Sequence, residues 1–348
     1  MKPTLRVFRA LERPLSRSKS IAFIGLGRMG AEMAYNLFSK KSTEIPDYQF
    51  VICDALPESA TSFRQNFLSH FPHARIEIVH TPEEAVHTSQ TVVTMLPSSP
   101  QVKSVYTESN GIIPALRSYE GQALAQTLII DSTTLDVEVA REVAGDVVKT
   151  GAHILDAPVS GGVSGAKAGT LSFLVGGSES AFNLSQPLLS YMGKRIIHCG
   201  PSGAGLGAKI CNNLVLGVQQ IVVGEAMLLG QKLGLDPAVL AGVINSSTGS
   251  CWASSVNNPV PSSLPEKSPP CERDYEGGFA TALMLKDMLL ATDIGDSKGS
   301  PLPLGKAARD IYAGVIQREP VLAKKDFSSV YLHLQRLGQS TGAQERES

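Results

Sequence analysis

Residues 20–30 read Ser20-Ile-Ala-Phe-Ile-Gly25-Leu26-Gly27-Arg28-Met29-Gly30, and this stretch decides the fold. The apolar run is typical of a buried strand, and the small and apolar residues after the glycines indicate a helix. The glycines occupy the G-x-G-x-x-G register, which makes a tight turn, admits a pyrophosphate and packs the helix closely on the strand. The helix start adds unpaired N–H groups and a positive dipole end. We therefore predict that a dinucleotide pyrophosphate is bound by Gly25, Leu26, Gly27, Arg28, Met29 and Gly30.

The acid after the second apolar run predicts which dinucleotide binds. That run, Gln49-Phe-Val-Ile-Cys-Asp54, ends in a carboxylate with no arginine close behind it. An aspartate at this position accepts hydrogen bonds from the adenine ribose and repels a 2′-phosphate. Capping of the next helix by Asp54 is the alternative. The sequence therefore predicts NAD as the cofactor, with Asp54 on its ribose.

Short apolar runs alternate with helical patterns as far as about residue 198. This alternation predicts an α/β fold with a mainly parallel, doubly wound sheet of the Rossmann type over residues 20–198. Two runs end in turns at Leu96-Pro97 and at Asp131-Ser-Thr-Thr134, and open α/β sheets bind ligands at such carboxyl ends. The hydroxyls of the second turn can equally cap the helix that follows.

A candidate acid–base residue lies at the start of a long apolar helix, in Gly203-Ala-Gly-Leu-Gly-Ala-Lys209-Ile-Cys-Asn-Asn213. Lys209 and Asn213 are one helical turn apart and project from the same face. The glycines before them let a flat ligand or another backbone approach closely. A lysine here can exchange a proton, and the amide can hold a polar substrate. A lysine exposed at the surface near the helix start is the alternative.

A further glycine-rich turn, Ser160-Gly161-Gly162, follows the apolar run that begins at His153. Its backbone N–H groups, together with the serine hydroxyl, can form a small anion nest. The size of this nest suits a carboxylate better than a pyrophosphate. We therefore predict that Ser160, Gly161 and Gly162 hold an acidic substrate.

The bulk composition limits the classes of partner. The 348 residues allow two domains, and the 43% hydrophobic and 18% charged content is ordinary for a globular enzyme. The net charge of −1 offers no basic field for nucleic acid or an anionic membrane. The sequence predicts no run close to the roughly 20 apolar residues of a membrane span, so no membrane partner is expected. The five cysteines form no CxxC pair and the seven histidines no HExxH, so we predict reduced thiols and no metal.

The two ends of the chain differ in composition from the rest. Residues 1–19 carry six basic residues and one acid, and residues 5–15 can form a helix with one apolar face. This composition is typical of a mitochondrial transit peptide. The alternative is a disordered basic tail, which would leave the protein in the cytoplasm. Residues 336–348 are polar and are predicted to be a disordered tail.

The chain resembles the β-hydroxyacid dehydrogenase family over residues 20–335. Four segments carry this resemblance in the expected order: Gly25-Leu-Gly-Arg-Met-Gly30, Asp156-Ala-Pro-Val-Ser-Gly-Gly162, the segment from Gly203 to Asn213, and Leu285-Lys286-Asp287. The resemblance implies a Rossmann domain and a long interdomain helix. It also implies an all-helical domain over residues 199–335 that completes the site and forms a homodimer or homotetramer. The implied reaction is hydride transfer from a small 3-hydroxy acid to NAD.

Matched positions imply roles for individual residues. Lys209 corresponds to the catalytic lysine, and the positions matched to substrate contacts are Ser160, Gly161, Gly162 and Asn213. The positions matched to cofactor contacts are Leu96, Pro97, Thr134 and Lys286. The family often has an asparagine where this chain has Gln101, so we do not predict a cofactor contact there.

The implied chemistry requires a lysine whose pKa lies well below its ordinary value near 10.4. Burial, the positive nicotinamide and Lys286 all act in that direction. Trp252 and Phe279 are candidate apolar walls, although a single tryptophan is more often a core residue. A family member acting on another small semialdehyde would share every catalytic residue. An imine reductase would lack Lys209, and a non-catalytic NAD-binding sensor would have no reason to keep Lys209, Asn213 and the Ser-Gly-Gly turn together.

Overall fold

The computed structural model describes Arg17, residues 20–45 and residues 47–344. The helical face predicted within residues 5–15 lies outside this part of the chain. The described residues divide into two compact units. The first takes its residues from Met1–Leu96, Pro100–Asp131 and Val143–Ile154, and the second from Pro97–Ser99, Ser132–Glu142 and Leu155–Ser348.

The strands in the described residues are β1 (Ser20–Ile24), β2 (Gln49–Cys53), β3 (Arg75–Ile78), β4 (Thr91–Thr94), β5 (Leu128–Asp131), β6 (His153–Asp156), β7 (Val159–Ser160), β8 (Leu171–Gly176) and β9 (Gly193–Gly200). The helices are α1 (Arg28–Glu44), α2 (Pro57–His70), α3 (Pro82–Thr88), α4 (Ser99–Thr107), α5 (Ile112–Leu116), α6 (Gln122–Ala125), α7 (Val137–Thr150), α8 (Gly162–Ala168), α9 (Glu179–Leu189), α10 (Ala204–Lys232), α11 (Pro237–Ser246), α12 (Trp252–Ser255), α13 (Thr281–Ser297), α14 (Pro303–Arg318) and α15 (Val330–Gln344). Short 3-10 helices occupy Pro270–Arg273, Pro320–Lys324 and Phe327–Ser329.

The first unit is built on a parallel sheet with the strand order β3-β2-β1-β4-β5. Chain order reverses between β1 and β4, which is the doubly wound arrangement predicted from the sequence. Every residue of β1 is buried, because helices cover both faces of such a sheet. Phe38 of α1 stacks on Phe50 of β2 and meets Phe67 of α2 edge to face. These contacts fix α1 and α2 against the sheet.

The second unit is organised around α10, a helix of 29 residues. It contacts α11, α12, α13, α14 and α15, together with β8 and β9. Ile221 of α10 shares one core cluster with Met284, Met288, Tyr312 and Phe327. Among the strands of this unit, β8 runs antiparallel to β7 and parallel to β9. The Rossmann-type sheet and the helical C-terminal part confirm the predicted fold class.

Helix α10 corrects one statement made from the sequence. By length and composition alone it is apolar enough to cross a membrane, so the view that no segment approaches that length was wrong. The physical reason is its central position, because a helix surrounded by other helices is apolar on several faces. The buried polar residues Lys209, Asn213 and Gln220 interrupt the apolar surface.

Helix α15 corrects a second expectation. The polar residues 336–344 continue this helix to Gln344, whereas the sequence predicted a disordered tail from residue 336. Val330 and Tyr331 at its start are buried. Once a buried first turn has nucleated the helix, each added residue gains a hydrogen bond without a new nucleation cost, so polar residues can continue it.

Two glycines of α10 provide a test of how closely this helix packs. A Cβ at Gly205 would lie 2.2 Å from the backbone oxygen of Leu174 in β8, whereas a Cβ at Gly207 would meet nothing within 4 Å. We expect Gly205→Ala to destabilise the protein by about 1–3 kcal/mol through overpacking. Gly207→Ala should stabilise it by up to about 1 kcal/mol through helix propensity. Thermal unfolding of both variants measures the difference, and equal shifts in the same direction would contradict the close packing of α10 on β8.

Candidate active site

The glycine turn of the first unit has the geometry that its spacing predicts. Gly25 has a φ of +94°, and a Cβ there would lie 2.3 Å from the backbone oxygen of Met95. A Cβ at Gly30 would lie 2.0 Å from the backbone oxygen of Gly25, so the third glycine permits the close packing of α1 on the turn. Gly27 has open space around the position of a Cβ, and no side chain caps the start of α1. An approaching anion therefore finds both room and backbone donors at Gly27.

Asp54 is tied to this glycine turn. Its carboxylate accepts hydrogen bonds from the N–H of Leu26 at 2.6 Å and from the N–H of Leu56 at 2.8 Å. The N-cap of α2 is Leu56, which makes no side-chain cap, so Asp54 is not the N-cap of the next helix. Leu96 also belongs to this region, since its side chain lies against the Gly25 backbone. The contacts of Asp54 and Leu96 with the cofactor stay predictions.

Lys209 and Asn213 lie one turn apart on the buried face of α10. The Lys209 ammonium donates to Asn213 Oδ1 at 3.2 Å, and Asn213 Nδ2 donates to Asp287 Oδ2 of α13 at 2.5 Å. All three side chains are buried. The alternative of a surface lysine is therefore wrong, and α10 and α13 together hold a buried Lys–Asn–Asp chain.

Burial sets the electrostatics of this chain. It lowers the pKa of Lys209; the Asp287 carboxylate opposes this shift and the Lys286 ammonium adds to it. Burial also raises the pKa of Asp287, against the effect of the two lysines and of the hydrogen bond from Asn213. Since desolvation dominates, Lys209 loses its proton more easily than an exposed lysine does. A lysine with a lowered pKa suits general acid–base work near neutral pH.

Lys286 lies beside two residues predicted to contact the cofactor. Its ammonium donates to the carbonyl oxygen of Thr134 at 3.0 Å and approaches that of Pro97 at 3.5 Å. It also lies 3.8 Å from Asp287 Oδ1. The structure therefore brings Pro97, Thr134 and Lys286 together within the second unit. This placement keeps a positive charge close to the buried Lys–Asn–Asp chain.

The Ser160 turn connects β7 to α8. Gly161 has a φ of +132° and Gly162 a φ of +63°, both in the region that favours glycine. Side chains at these two positions would strain the turn, which explains the pair of glycines after Ser160. The three residues are partly or fully exposed, so a small acid can reach the turn.

Asp156 holds the start of α10, a role that the sequence analysis did not assign. Its Oδ1 accepts from the N–H of Gly203 at 2.7 Å, and its Oδ2 accepts from the N–H of Leu206 at 3.0 Å. It is buried at the end of β6, four residues before Ser160. The strand end that precedes the predicted substrate turn is therefore hydrogen-bonded to the first turn of the helix that carries Lys209.

Trp252 and Phe279 both contact Phe327. The rings of Trp252 and Phe327 stack with centroids 6.5 Å apart, and Phe279 meets Phe327 edge to face at 6.0 Å. Trp252 is 48% exposed, so it is not a core residue. These aromatic side chains form an apolar surface within the second unit. Within the described residues, no group of three or more His, Cys, Asp or Glu side chains is placed to hold a metal ion.

Two family models match consecutive parts of the chain. Residues 20–200 match the family model of the NAD binding domain of 6-phosphogluconate dehydrogenase. Residues 203–334 match that of the NAD-binding domain of NADP-dependent 3-hydroxyisobutyrate dehydrogenase. Human mitochondrial 3-hydroxyisobutyrate dehydrogenase is 39% identical over 335 residues, which cover 96% of this chain and 92% of the human protein. The chain belongs to the 3-hydroxyisobutyrate dehydrogenase family.

Two further relatives of this family extend the comparison. Mitochondrial 3-hydroxyisobutyrate dehydrogenase of Drosophila melanogaster is 39% identical over 318 residues, covering 90% of this chain and 89% of the fly protein. The solved structure of Mycobacterium tuberculosis 3-hydroxyisobutyrate dehydrogenase with L-serine is 41% identical, with a TM-score of 0.79. It covers 91% of this chain and 99% of that one. The predicted family, oxidoreductase class and nicotinamide cofactor, NAD, are confirmed.

Replacement of Asp287 tests its electrostatic coupling to Lys209. Asp287→Asn keeps an acceptor for Asn213 but removes the negative charge that raises the pKa of Lys209. We expect the acid limb of the kcat–pH profile for alcohol oxidation to move to lower pH, because Lys209 then deprotonates more readily. The rate of NADH formation across pH measures this limb. Asp293→Asn, at an exposed position of the same helix, is the matched control and should leave the limb in place. A limb that stays in place or moves to higher pH in Asp287→Asn would contradict the coupling.

Proposed function

We propose that this chain oxidises 3-hydroxyisobutyrate to methylmalonate semialdehyde with NAD, a step of valine catabolism. The observation that carries the proposal is the buried chain Lys209–Asn213–Asp287. It occurs in a protein 39% identical to the human 3-hydroxyisobutyrate dehydrogenase over 96% of its length. A protein that only sensed NAD would have no use for a buried, polarised lysine.

Lys209 takes the proton of the substrate hydroxyl in this proposal. NAD would supply the hydride acceptor for the carbinol carbon when bound. Neutral Lys209 removes the hydroxyl proton, and burial favours its neutral form. The resulting ammonium is stabilised by the nearby Asp287 charge. The negative charge of Asp287 thereby compensates the positive charge that Lys209 gains when it takes the proton.

Asn213 orients the substrate hydroxyl next to Lys209. Its amide oxygen accepts from Lys209 and its amide nitrogen donates to Asp287, so the side chain is held from both sides. A residue held in this way loses little conformational entropy when a substrate binds, and a fixed geometry raises the rate. Asn213 is a positioning group that exchanges no proton.

The other end of the substrate meets the Ser160 turn. The N–H groups of residues 160–162 and the Ser160 hydroxyl bind the carboxylate. The apolar surface of Trp252 and Phe279 suits the methyl group of 3-hydroxyisobutyrate. With the carboxylate held by the turn and the hydroxyl by Asn213, a small 3-hydroxy acid has two anchors.

Two features of the first unit support NAD as the cofactor. Gly27 offers open space at an uncapped helix start, and Asp54 carries a carboxylate at the end of β2. Further contacts are assigned to the rest of the glycine turn and to Leu96, Pro97, Thr134 and Lys286. Lys286 also supports the chemistry, because its positive charge lowers the pKa of Lys209.

Location and assembly complete the proposal. Relatives from human and fly are named as mitochondrial, and the basic N-terminal segment supports import into the matrix. A bacterial relative is equally similar, so the proposed mitochondrial location rests on the N-terminal segment and not on the similarity. Val215, Val222 and Leu229 are exposed seven residues apart on α10. This apolar stripe supports a homodimer or homotetramer.

Alanine at Lys209 tests the catalytic role. We expect Lys209→Ala to lower kcat for (S)-3-hydroxyisobutyrate by a factor of about 100 or more, in line with general acid–base contributions. NAD affinity should barely change, because the glycine turn and Asp54 hold the dinucleotide in this proposal and Lys209 is not one of the residues assigned to it. Asn213→Ala should raise KM and lower kcat less, since it orients the substrate. NADH absorbance measures both variants, and near-normal turnover in Lys209→Ala would show that the proton leaves by another route.

A reporter fusion tests the compartment. Residues 1–19 joined to a fluorescent reporter should direct it into mitochondria, because the segment combines six basic residues with one acid. Microscopy with a matrix marker measures the location. A matched fusion in which the six basic residues are replaced by glutamine should stay diffuse. A diffuse signal from the unaltered segment would place the enzyme in the cytoplasm.

A further inference from the structure

Arg17 belongs to the segment interpreted as a transit peptide, yet its side chain is docked on the first unit. The guanidinium Nε donates to the carbonyl oxygen of Val86 at 2.9 Å, and Nη2 donates to Thr127 Oγ1 at 3.0 Å. Nη1 approaches the carbonyl oxygen of Ala123 at 3.4 Å. A planar guanidinium is suited to several acceptors at once, because its donors point in fixed directions.

An aromatic ring completes the environment of this side chain. The guanidinium carbon of Arg17 lies 4.1 Å from the centroid of the Tyr119 ring, a distance typical of a cation–π contact. The Tyr119 hydroxyl is itself held by His87 Nδ1 at 2.8 Å. The ring is therefore fixed in place under the guanidinium.

The backbone of Arg17 is held as well. Its carbonyl oxygen accepts from the N–H of Gln90 at 3.0 Å and from the hydroxyl of Ser20 at 3.1 Å. Gln90 directly precedes β4, and Ser20 begins β1. Both main-chain and side-chain atoms of Arg17 thus contact the first unit.

These contacts converge on one end of the sheet. Val86 lies in α3, Ala123 in α6, and Thr127 directly precedes β5. Arg17 therefore connects α3 and α6 to the amino ends of β1, β4 and β5. Removal of this residue would leave the Val86 carbonyl without its charged donor and the Gln90 N–H without its acceptor. The glycine turn lies at the opposite, carboxyl end of β1, so this role is separate from cofactor binding.

We propose that Arg17 is part of the mature protein, so that any proteolytic removal of an N-terminal leader cuts the chain before Arg17. Four of the six basic residues of the segment, Lys2, Arg6, Arg9 and Arg13, precede this limit. A leader that ends by residue 16 therefore keeps the basic character that import requires. The boundary expected from composition, residue 19, moves towards the N-terminus.

The mature N-terminus can be read directly. The full chain is expressed in cells with mitochondria, purified from the mitochondrial fraction, and analysed by intact mass and N-terminal peptide sequencing. We expect the first residue to be Arg17 or an earlier one. A mature chain that begins at residue 18 or later would overturn the proposal.

Two recombinant chains that differ by one residue test the same point without import. One begins at Arg17 and the other at residue 18, each after the same initiator methionine. We expect the melting temperature of the shorter chain to be several degrees lower, and Arg17→Gln in the full chain to show the same loss. Arg17→Lys should fall between, because lysine keeps the charge over Tyr119 but not the planar donor set. Arg64→Gln, at an exposed position of α2, is the control and should leave the melting temperature unchanged.

Equal melting temperatures for the two recombinant chains would also overturn the proposal. None of these measurements depends on the substrate. A failure of the proposed enzyme activity would therefore be distinguishable from a failure of the Arg17 boundary.

Discussion

Two hydrogen bonds from the start of α10 to the Asp156 carboxylate are the constraint on which the second unit depends. They fix the first turn of the helix against the end of β6, and the register of that turn sets where Lys209 emerges. The neighbouring backbone has to come close for this to happen. A Cβ at Gly176 would lie 2.5 Å from Asp156 Oδ1, and a Cβ at Gly205 would lie 2.9 Å from Oδ2. A side chain at Gly176 of β8 or at Gly205 of α10 would therefore collide with the Asp156 carboxylate, which explains the glycine at both positions.

The buried charges of the site oppose the stability of the fold. Desolvation lowers the pKa of Lys209 and raises that of Asp287. The charged form of each group is therefore less stable in the folded protein than it would be in water. For the lysine, the unfolded chain binds the proton more readily than the folded chain between the two pKa values. The stability lost by burying Lys209 is therefore recovered as pH rises through its folded pKa towards its unfolded one. The same depressed pKa makes the lysine useful as a proton acceptor.

The parts of the structure that local sequence determines were predictable. The strand, glycine turn and helix at residues 20–44 are adjacent in the chain, and Lys209 and Asn213 share a face because the helix repeats every 3.6 residues. Contacts between distant residues were not predictable in this way. Asp287 meets Asn213 across 74 positions of sequence, and Asp156 meets Gly203 across 47. In the sequence, Asp287 is marked only as an acid that follows Lys286, and Asp156 only as an acid at the end of a predicted strand. The helical continuation of α15 through its polar end depends on its buried first turn, and the exposure of Trp252 depends on what packs beside it.

The hydrogen bond from Leu26 to Asp54 has a consequence for altering cofactor preference. A carboxylate that already bridges β2 and the glycine turn is ordered before any nucleotide arrives, so little entropy is lost there on binding. In the proposed role of Asp54 on the adenine ribose, replacing it with a neutral residue to accommodate a 2′-phosphate removes that bridge together with the charge that would repel the phosphate. Without the hydrogen bond to Leu26, the glycine turn would be less ordered before either dinucleotide binds. Redesign of this enzyme towards NADP therefore requires a second substitution that restores an acceptor for the Leu26 N–H.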